Sequence, residues 1–475
     1  MASSLQHILS MGSDSLQNAR LGVDVTGHNI ANAHTPGYSR QRVDLEPKHP
    51  IDFGNHVIGD GAKVASVSRA HDKFLEVQLR KEKQNNGMST ALSKGLEKLE
   101  TLFNPELSST VRDRLDNFYN AMRELSTYPE EPSVRMHMVE TAMGLTQAIN
   151  TAHSNVVTIQ NDATEEIKGN LEVLNIKLGE IAKLNQSIKE MAPGVPAQAN
   201  DLEDKRDILI KEVADLIPLN AYKDENDNYA LRGPGGLLLV EGPKAAQMTM
   251  ENITDEPSNP RIMLRDLSGP GSRDVTDKFD GGKIGGLVEV RDKHAQYVRN
   301  MLNTMASQFG ENFNTIHRQG FGIGAYGEQS GRDFFENHDG SYGEPAQGIA
   351  VSTLMTAEPE AIATGLTMGA TGDNVIINEL VKSFYEPTFE GNSTVTGLYD
   401  KIVGKLGINT MHAKEDLNAS TIVLAQLEGQ REATAGVSLD EEAANLLKYQ
   451  HLFTASSRVI TTVDEMFKTV LDLKR

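Results

Sequence analysis

Both ends of this 475-residue chain carry an unbroken seven-residue apolar repeat, and that pairing limits the folds open to it. At the N-terminus Leu9, Leu16, Val23 and Ile30 recur at this spacing, with Leu5, Gly12, Ala19, Thr26 and Ala33 on the adjoining stripe. At the C-terminus Leu439, Leu446, Phe453, Ile460 and Phe467 repeat likewise, beside Tyr449, Val463 and Val470. Such spacing marks a helix that lies along a partner helix, and small residues on one stripe let the partner come close. Before Arg40 the only charged side chains are Asp14, Arg20 and Asp24, whereas an ordinary surface helix carries a charged outer face. Either series alone suits a core-facing helix. Together they predict a terminal helix pair, an assembly device more often than a catalytic one. Isolated helices are marginal in water, so the segments before about Arg40 and after about Val437 are expected to order on assembly.

Between the ends, a helical zone is predicted from Gly87 to Ile217. In it Ile167, Leu171, Leu174, Leu178, Ile181 and Ile188 keep coiled-coil spacing, with Asn185 as a polar interruption of the kind that fixes register. Helical patterning returns over Gly286–Ile316 and Val375–Glu432. From Pro218 to Asp280 short β-prone runs, such as Leu237–Val240 and Arg261–Arg265, alternate with the turn clusters Gly233-Pro234-Gly235-Gly236 and Gly269-Pro270-Gly271. The expected fold is mainly α with an inserted β domain: a discontinuous, elongated helical bundle whose terminal helices pair as a coiled coil. Its expected divisions are 1–80, 81–218, a self-contained β insert at 219–281, 282–432 with a loop-rich excursion at 320–370, and 433–475. The stretch from Gly320 to Gly348 shows no periodicity and is expected to decorate the surface.

Composition removes several classes of function. A net charge of −20 argues against nucleic acid, which needs clustered Lys and Arg. Cysteine and tryptophan are absent, which excludes disulfides, thiol catalysis and cysteine metal sites. No apolar run is long enough to cross a bilayer, and no removable signal peptide is expected.

The segment Asn29-Ile30-Ala31-Asn32-Ala33-His34-Thr35-Pro36-Gly37-Tyr38-Ser39-Arg40-Gln41 can be read physically. Pro36 pushes Thr35 out of helical geometry, Pro36-Gly37 suits a type II turn, and Gln41-Arg42-Val43-Asp44-Leu45 alternates like a strand. The same run, above all Asn29, Asn32, Thr35, Pro36, Gly37 and Tyr38, closely resembles the signature of the flagellar rod, hook and hook-associated proteins. Gly61–Arg69 with Asp72–Leu75 looks like the second block of that family. Asn200–Leu209, Gly285–Asp292 and Ser438–Leu446 are similar to helices of its hook-associated branch. His34 and Ser39 depart from the usual signature at positions expected to vary.

A rod-and-hook start followed by a long helical zone points to the hook-associated branch. The resemblance therefore implies a structural subunit that polymerises at the hook tip and joins hook to filament. It would be extracellular, on the flagellum, and exported through the flagellar channel without a cleaved signal. The implied partners are further copies of itself, the hook protein, the next hook-associated protein at the filament base, and a cytoplasmic export chaperone on the C-terminal helix. The interface would run along the two terminal repeats. Alternatives are another axial rod or hook subunit, and a flagellum-associated enzyme.

The enzyme alternative finds little in the residues. Gly322-Ile323-Gly324-Ala325-Tyr326-Gly327 has dinucleotide-loop spacing but follows a predicted helix rather than a strand. Asp224-Glu225-Asn226-Asp227-Asn228 lacks the glycine and the terminal glutamate of a calcium loop, and Asp333–Asp339 is similarly incomplete. The early histidines (His7, His28, His34, His49, His56, His71) have no zinc-protease spacing, the β insert has no histidine, and no Gly-x-Ser-x-Gly elbow occurs. No catalytic, cofactor or metal residues are expected.

Overall fold

A computed structural model describes residues 2–53, 56–103, 110–191, 196–223, 229–253, 256–265, 267, 271–389 and 392–472. The acidic run Asp224–Asn228, and Gly269 and Pro270 of the second turn cluster, lie outside the described residues.

In chain order the helices are α1 (Ala2–Ala31), α2 (Lys73–Thr101), α3 (Val111–Thr127), α4 (Pro132–Met191), α5 (Pro196–Leu216), α6 (Gly282–Glu289), α7 (Gln296–His317), α8 (Pro345–Gly348), α9 (Thr353–Ala357), α10 (Val375–Ser383), α11 (Val395–Ala435) and α12 (Leu439–Asp472). The strands are β1 (Gln41–Pro47), β2 (Ile51–Phe53), β3 (His56–Ile58), β4 (Ala62–Arg69), β5 (Asn220–Lys223), β6 (Tyr229–Arg232), β7 (Leu238–Glu241), β8 (Lys244–Ala245), β9 (Gln247–Ile253), β10 (Glu256–Arg265), β11 (Ser272–Asp274), β12 (Phe335–Glu336) and β13 (Ala350–Val351).

The chain forms two compact units. The first holds 1–86, 171–282 and 420–475; the second holds 87–170 and 283–419.

In the first unit α1 ends at Ala31 because Pro36 lies ahead, and Tyr38 N donates to Thr35 O at 3.2 Å to close the expected turn. Gly37 takes φ +78°, the left-handed value that the second central position of a type II turn requires. The chain then enters β1, which pairs antiparallel with β4 from Gln41–Arg69 to Pro47–Ala62. The insert forms two small antiparallel sheets, ordered β5-β6-β7-β8 and β11-β10-β9. Both are tied to α4 by buried or half-buried amides. Asn175 donates to Met248 O (2.8 Å) and accepts from Met248 N (2.9 Å). Asn185 donates to Tyr229 O and Gly242 O, both at 3.1 Å, and accepts from Arg206 Nη1 at 3.2 Å. Asn185 therefore bonds to the adjacent helix through Arg206, beyond what its spacing suggested, and to the insert as well. It satisfies the backbone of the insert.

The second unit packs α3, the first part of α4, α7, α10 and the start of α11 around one core. A capping box of Thr110 and Asp113 starts α3. The expectation of a surface-decorating loop after Gly320 is overturned: Phe334 and Phe335 are fully buried, and the Phe334 ring packs at 4.9 Å between centroids against both Phe313 (tilted) and Phe335 (edge to face). An aperiodic run gives no helix or strand signal, yet its aromatics fill the core between α3 and α7. Arg135 of α4 anchors the same stretch from inside, donating to Pro129 O (2.7 Å), Ile362 O (2.8 Å) and Thr364 Oγ1 (3.0 Å). The Gly322–Gly327 loop folds onto itself, with Gly322 N donating to Tyr326 O at 3.1 Å, and opens no helix of the length a dinucleotide needs.

Candidate assembly interface

The terminal helices α1 and α12 lie antiparallel within one chain, Gly12 facing Ile460, Gly22 facing Tyr449 and Asn29 facing Glu442. Close approach depends on the small residues. A Cβ on Gly22 would stand 2.4 Å from the Tyr449 ring, and one on Gly12 would stand 3.1 Å from Ile460 Cγ1.

The burial pattern shows which stripe enters the seam. Leu5, Gly12, Ala19 and Thr26 are buried, whereas Leu9, Leu16, Val23 and Ile30 are half-buried along its flank. On α12 the buried residues are Glu442, Ser456 and Val463, with Leu446, Tyr449, Ile460 and Phe467 half-buried. Leu439 and Phe453 remain 47% and 39% exposed, and Leu447, Val459, Met466 and Leu471 of the same helix are exposed as well. One chain thus covers only part of the two repeats.

At the end of the seam sits the signature corner, built around Asn29, which is 1% exposed. Its Oδ1 accepts from Gln41 N (2.9 Å) and from Tyr38 Oη (2.8 Å). Its Nδ2 donates to Gln41 O (2.8 Å) and Glu442 Oε2 (3.0 Å). One amide therefore fastens α1, β1 and α12 together. Asn32 donates to His28 O at 3.0 Å and accepts from Thr35 Oγ1 at 3.2 Å, which secures the helix end. Gly37 O accepts from Arg431 of α11 at 2.8 Å. Pro36 is exposed, and its role is conformational.

Charge completes the corner. Arg40 pairs with Glu441 (2.6 Å) and Glu442 (2.8 Å) of α12, and Ser39 N donates to Asp204 of α5 at 2.8 Å. Arg69 at the end of β4 faces Asp207 (2.7 Å), Asp204 (2.8 Å) and Glu203 (3.0 Å). Burial opposes the charge on Arg69, but these carboxylates prevail and raise its pKa above the ordinary arginine value. Burial raises the pKa of Asp204 despite Arg69 and the Ser39 amide. Tyr38 is raised as well, by burial and then by Asp201, Asp204 and Glu442, so its phenol stays a hydrogen-bond donor. Sequence reasoning singled out the corner itself but not Arg69, Asp204, Arg431 or Glu442. Arg69, Asp204 and Glu442 were signalled only by membership of the resembling blocks 61–69, 200–209 and 438–446, and Arg431 lies in none of them, because no spacing links residues so far apart. Among the described residues no three His, Cys, Asp or Glu side chains converge as a metal site would, and no helix is long and apolar enough to cross a membrane. The corner's chemistry is hydrogen bonding and charge pairing, which fixes the two chain ends against a strand and a helix.

Comparison with known proteins gives the setting. The sequence model described as the flagellar hook-associated protein FlgK helical domain matches residues 96–335, and that of the flagellar basal body rod FlgEFG protein C-terminal region matches 430–473. Flagellar hook-associated protein 1 of Bacillus subtilis is 26% identical over 96% of this chain and 96% of its own length. The protein of the same name from Salmonella typhimurium is 23% identical over the full length of both. The solved structure of the flagellar hook junction protein FlgK from Burkholderia pseudomallei superimposes with a TM-score of 0.66 at 13% identity, covering 76% of this chain and 100% of that one.

Proposed function

The chain belongs to the flagellar hook-associated protein FlgK family, and from that premise we propose that it is a structural subunit of the bacterial flagellum that polymerises at the hook tip and joins hook to filament. The observation that carries this reading is the terminal seam. Two antiparallel helices with a small-residue interface are locked at one end by Asn29, and their remaining apolar surface stays uncovered in the single chain. Exposed apolar side chains along a packed helix pair suit a protein–protein contact.

In this reading Leu5, Leu9, Leu16, Val23, Ile30, Leu439, Leu446, Phe453, Ile460 and Phe467 form the interface between copies. The corner residues Asn29, Asn32, Thr35, Pro36, Gly37 and Tyr38 set the angle at which the seam leaves the body. The terminal helices continue the hook lattice below and offer a filament-compatible lattice above. The hook protein and the next hook-associated protein are the axial neighbours. A cytoplasmic export chaperone holds the C-terminal helix until the chain passes through the flagellar channel with no cleaved signal. The division of the chain at 80, 218, 281 and 432 belongs to the same proposal. No catalytic activity is assigned to the protein, and a hydrolase screen of the purified chain would expose one.

Immunogold labelling of isolated hook–filament complexes tests the location. Gold confined to a band between hook and filament is expected. Label along the whole hook or rod would instead favour an ordinary axial subunit, a reading supported by the rod-protein match over 430–473.

A further inference from the structure

Within the first unit a cleft of about 660 Å³ opens between the start of α2, the first half of α5 and the β5–β6 edge. Among the described residues its lining includes five Lys or Arg side chains and two carboxylates, in a chain with 66 Asp and Glu against 46 Lys and Arg. Both carboxylates are already engaged. Glu76 pairs with Lys211 (2.9 Å) and Arg431 (3.3 Å), and Glu203 pairs with Arg69 at 3.0 Å. At the back Arg206 lies 4.1 Å over the Tyr229 ring, and the nearest carboxylate oxygen, on Glu203, is 3.8 Å from it.

Arg80 is the anomaly. It is only 8% exposed, it lines the cleft, and among the described residues it has no hydrogen bond or ion pair. Among the other covered arginines of this unit, Arg69 is answered by three carboxylates, Arg40 by two, Arg431 by Glu76 and the Gly37 carbonyl, and Arg206 by the Asn185 amide, with Glu203 3.8 Å away. Lys73, two turns before Arg80 on the same face of α2, is exposed at the mouth. The Arg80 guanidinium reaches solvent within the cleft and has no ion pair there among the described residues, and its planar fork suits a carboxylate.

We propose that this cleft receives acidic side chains of a second copy of the chain in the assembled polymer, with Arg80 and Lys73 as the ion-pairing groups. The inference rests on the self-assembling role proposed above. A second copy is the occupant favoured by charge, because the chain carries a surplus of carboxylates and its assembly places copies side by side. The contact also gives register: seams held by apolar stripes alone tolerate slippage, and a buried charge pair does not.

Two measurements test it. Purified full-length protein at low ionic strength is titrated with tetraglutamate by calorimetry. Saturable binding is expected, weakened about tenfold or more by Arg80→Gln and by Lys73→Gln, which is the loss of one charge-assisted hydrogen bond. Melting of either variant without peptide should match the parent; a lowered melt of Arg80→Gln leaves the exposed Lys73→Gln as the deciding variant. Absence of saturable binding, or equal affinity in Lys73→Gln, overturns the proposal. So does inorganic phosphate binding as tightly as the peptide, which would make the cleft a site for free anions. In flagella, a benzophenone amino acid at Tyr222 should cross-link two copies through an acid-rich peptide. Cross-links within one chain, including to Asp224–Asn228, or to another protein, or none in flagella with normal filaments, overturn it. If gold labelling places the protein elsewhere, the junction role fails, whereas filaments with normal labelling and no cross-link reject the cleft alone.

Discussion

Gly22 and Tyr449 show how much of the seam hangs on single atoms. The ring occupies the space where any side chain at position 22 would begin, so Gly22→Ala forces the helices apart. The expected cost is about 1–3 kcal/mol, the range for overpacking. Hydrogen exchange should register it as lost protection in α1 and α12 with the second unit unchanged, and Tyr449→Ala in the same chain should restore part of the loss. His317 tests the second unit. It is fully buried, its Nδ1 donates to Arg332 O at 2.8 Å and its Nε2 accepts from Ala363 N at 2.9 Å. Burial pushes its pKa down from 6.5 to about 4. The folded state thus favours the neutral ring, and the unfolded chain binds the extra proton. This stabilisation is complete above about pH 6.5 and falls away as pH drops towards 4, by up to about 3 kcal/mol. Denaturant melts at pH 7 and 5 should show the fall, and His317→Gln, which can keep one donor and one acceptor, should flatten it.

At the scale of elements, α12 separates folding from assembly. Phe453 lies mid-way along its apolar series yet is 39% exposed in the single chain, so Phe453→Asp disturbs the monomer less than the same change at a fully buried position. The monomer should melt within a few degrees of the parent, since losing about 1 kcal/mol shifts a domain of 150 residues or more by about 2–4 °C. Incorporation at the hook tip should fail, and cells making only this variant should keep hooks and release flagellin. A melting temperature lowered well beyond that would place Phe453 in the monomer core, and normal filaments would remove it from the interface. The pair itself is only two helices. Amide exchange in dilute monomer should therefore be faster in α1 and α12 than in α3 or α7, and slow down on polymerisation.

For the whole molecule, the β insert is the sharpest question. Its sequence suggests a detachable unit with adjacent ends, and the structure adds the bonds from Asn175 and Asn185 to its backbone. Replacing Asn220–Gly281 by a short linker should leave the second unit melting as before, since no part of the insert belongs to it. The first unit should lose stability, because the Asn185 amide and Arg206 would lose partners that the insert supplies. Calorimetry should then resolve an unchanged transition and a weakened one. A single lowered transition would show that the two units unfold as one.

Periodicity alone disclosed the terminal helices, because a seven-residue repeat has one economical use, and Pro36-Gly37 disclosed the corner, because proline and glycine restrict the backbone locally. The insert was legible from its turns and β-prone runs. Local chemistry of this kind survives in any context. Tertiary structure alone decided the rest. Which stripe of α1 enters the seam depended on the bulk of Tyr449 and Ile460 more than four hundred positions away. Phe334 and Phe335 became core because α3 and α7 left room for aromatic rings, although no period marks them. The charges gathered around Arg69, and the lack of an ion pair at Arg80 among the described residues, arise from elements that meet only on folding. A one-dimensional pattern records what a residue does to its neighbours in sequence; it carries no trace of neighbours acquired across space.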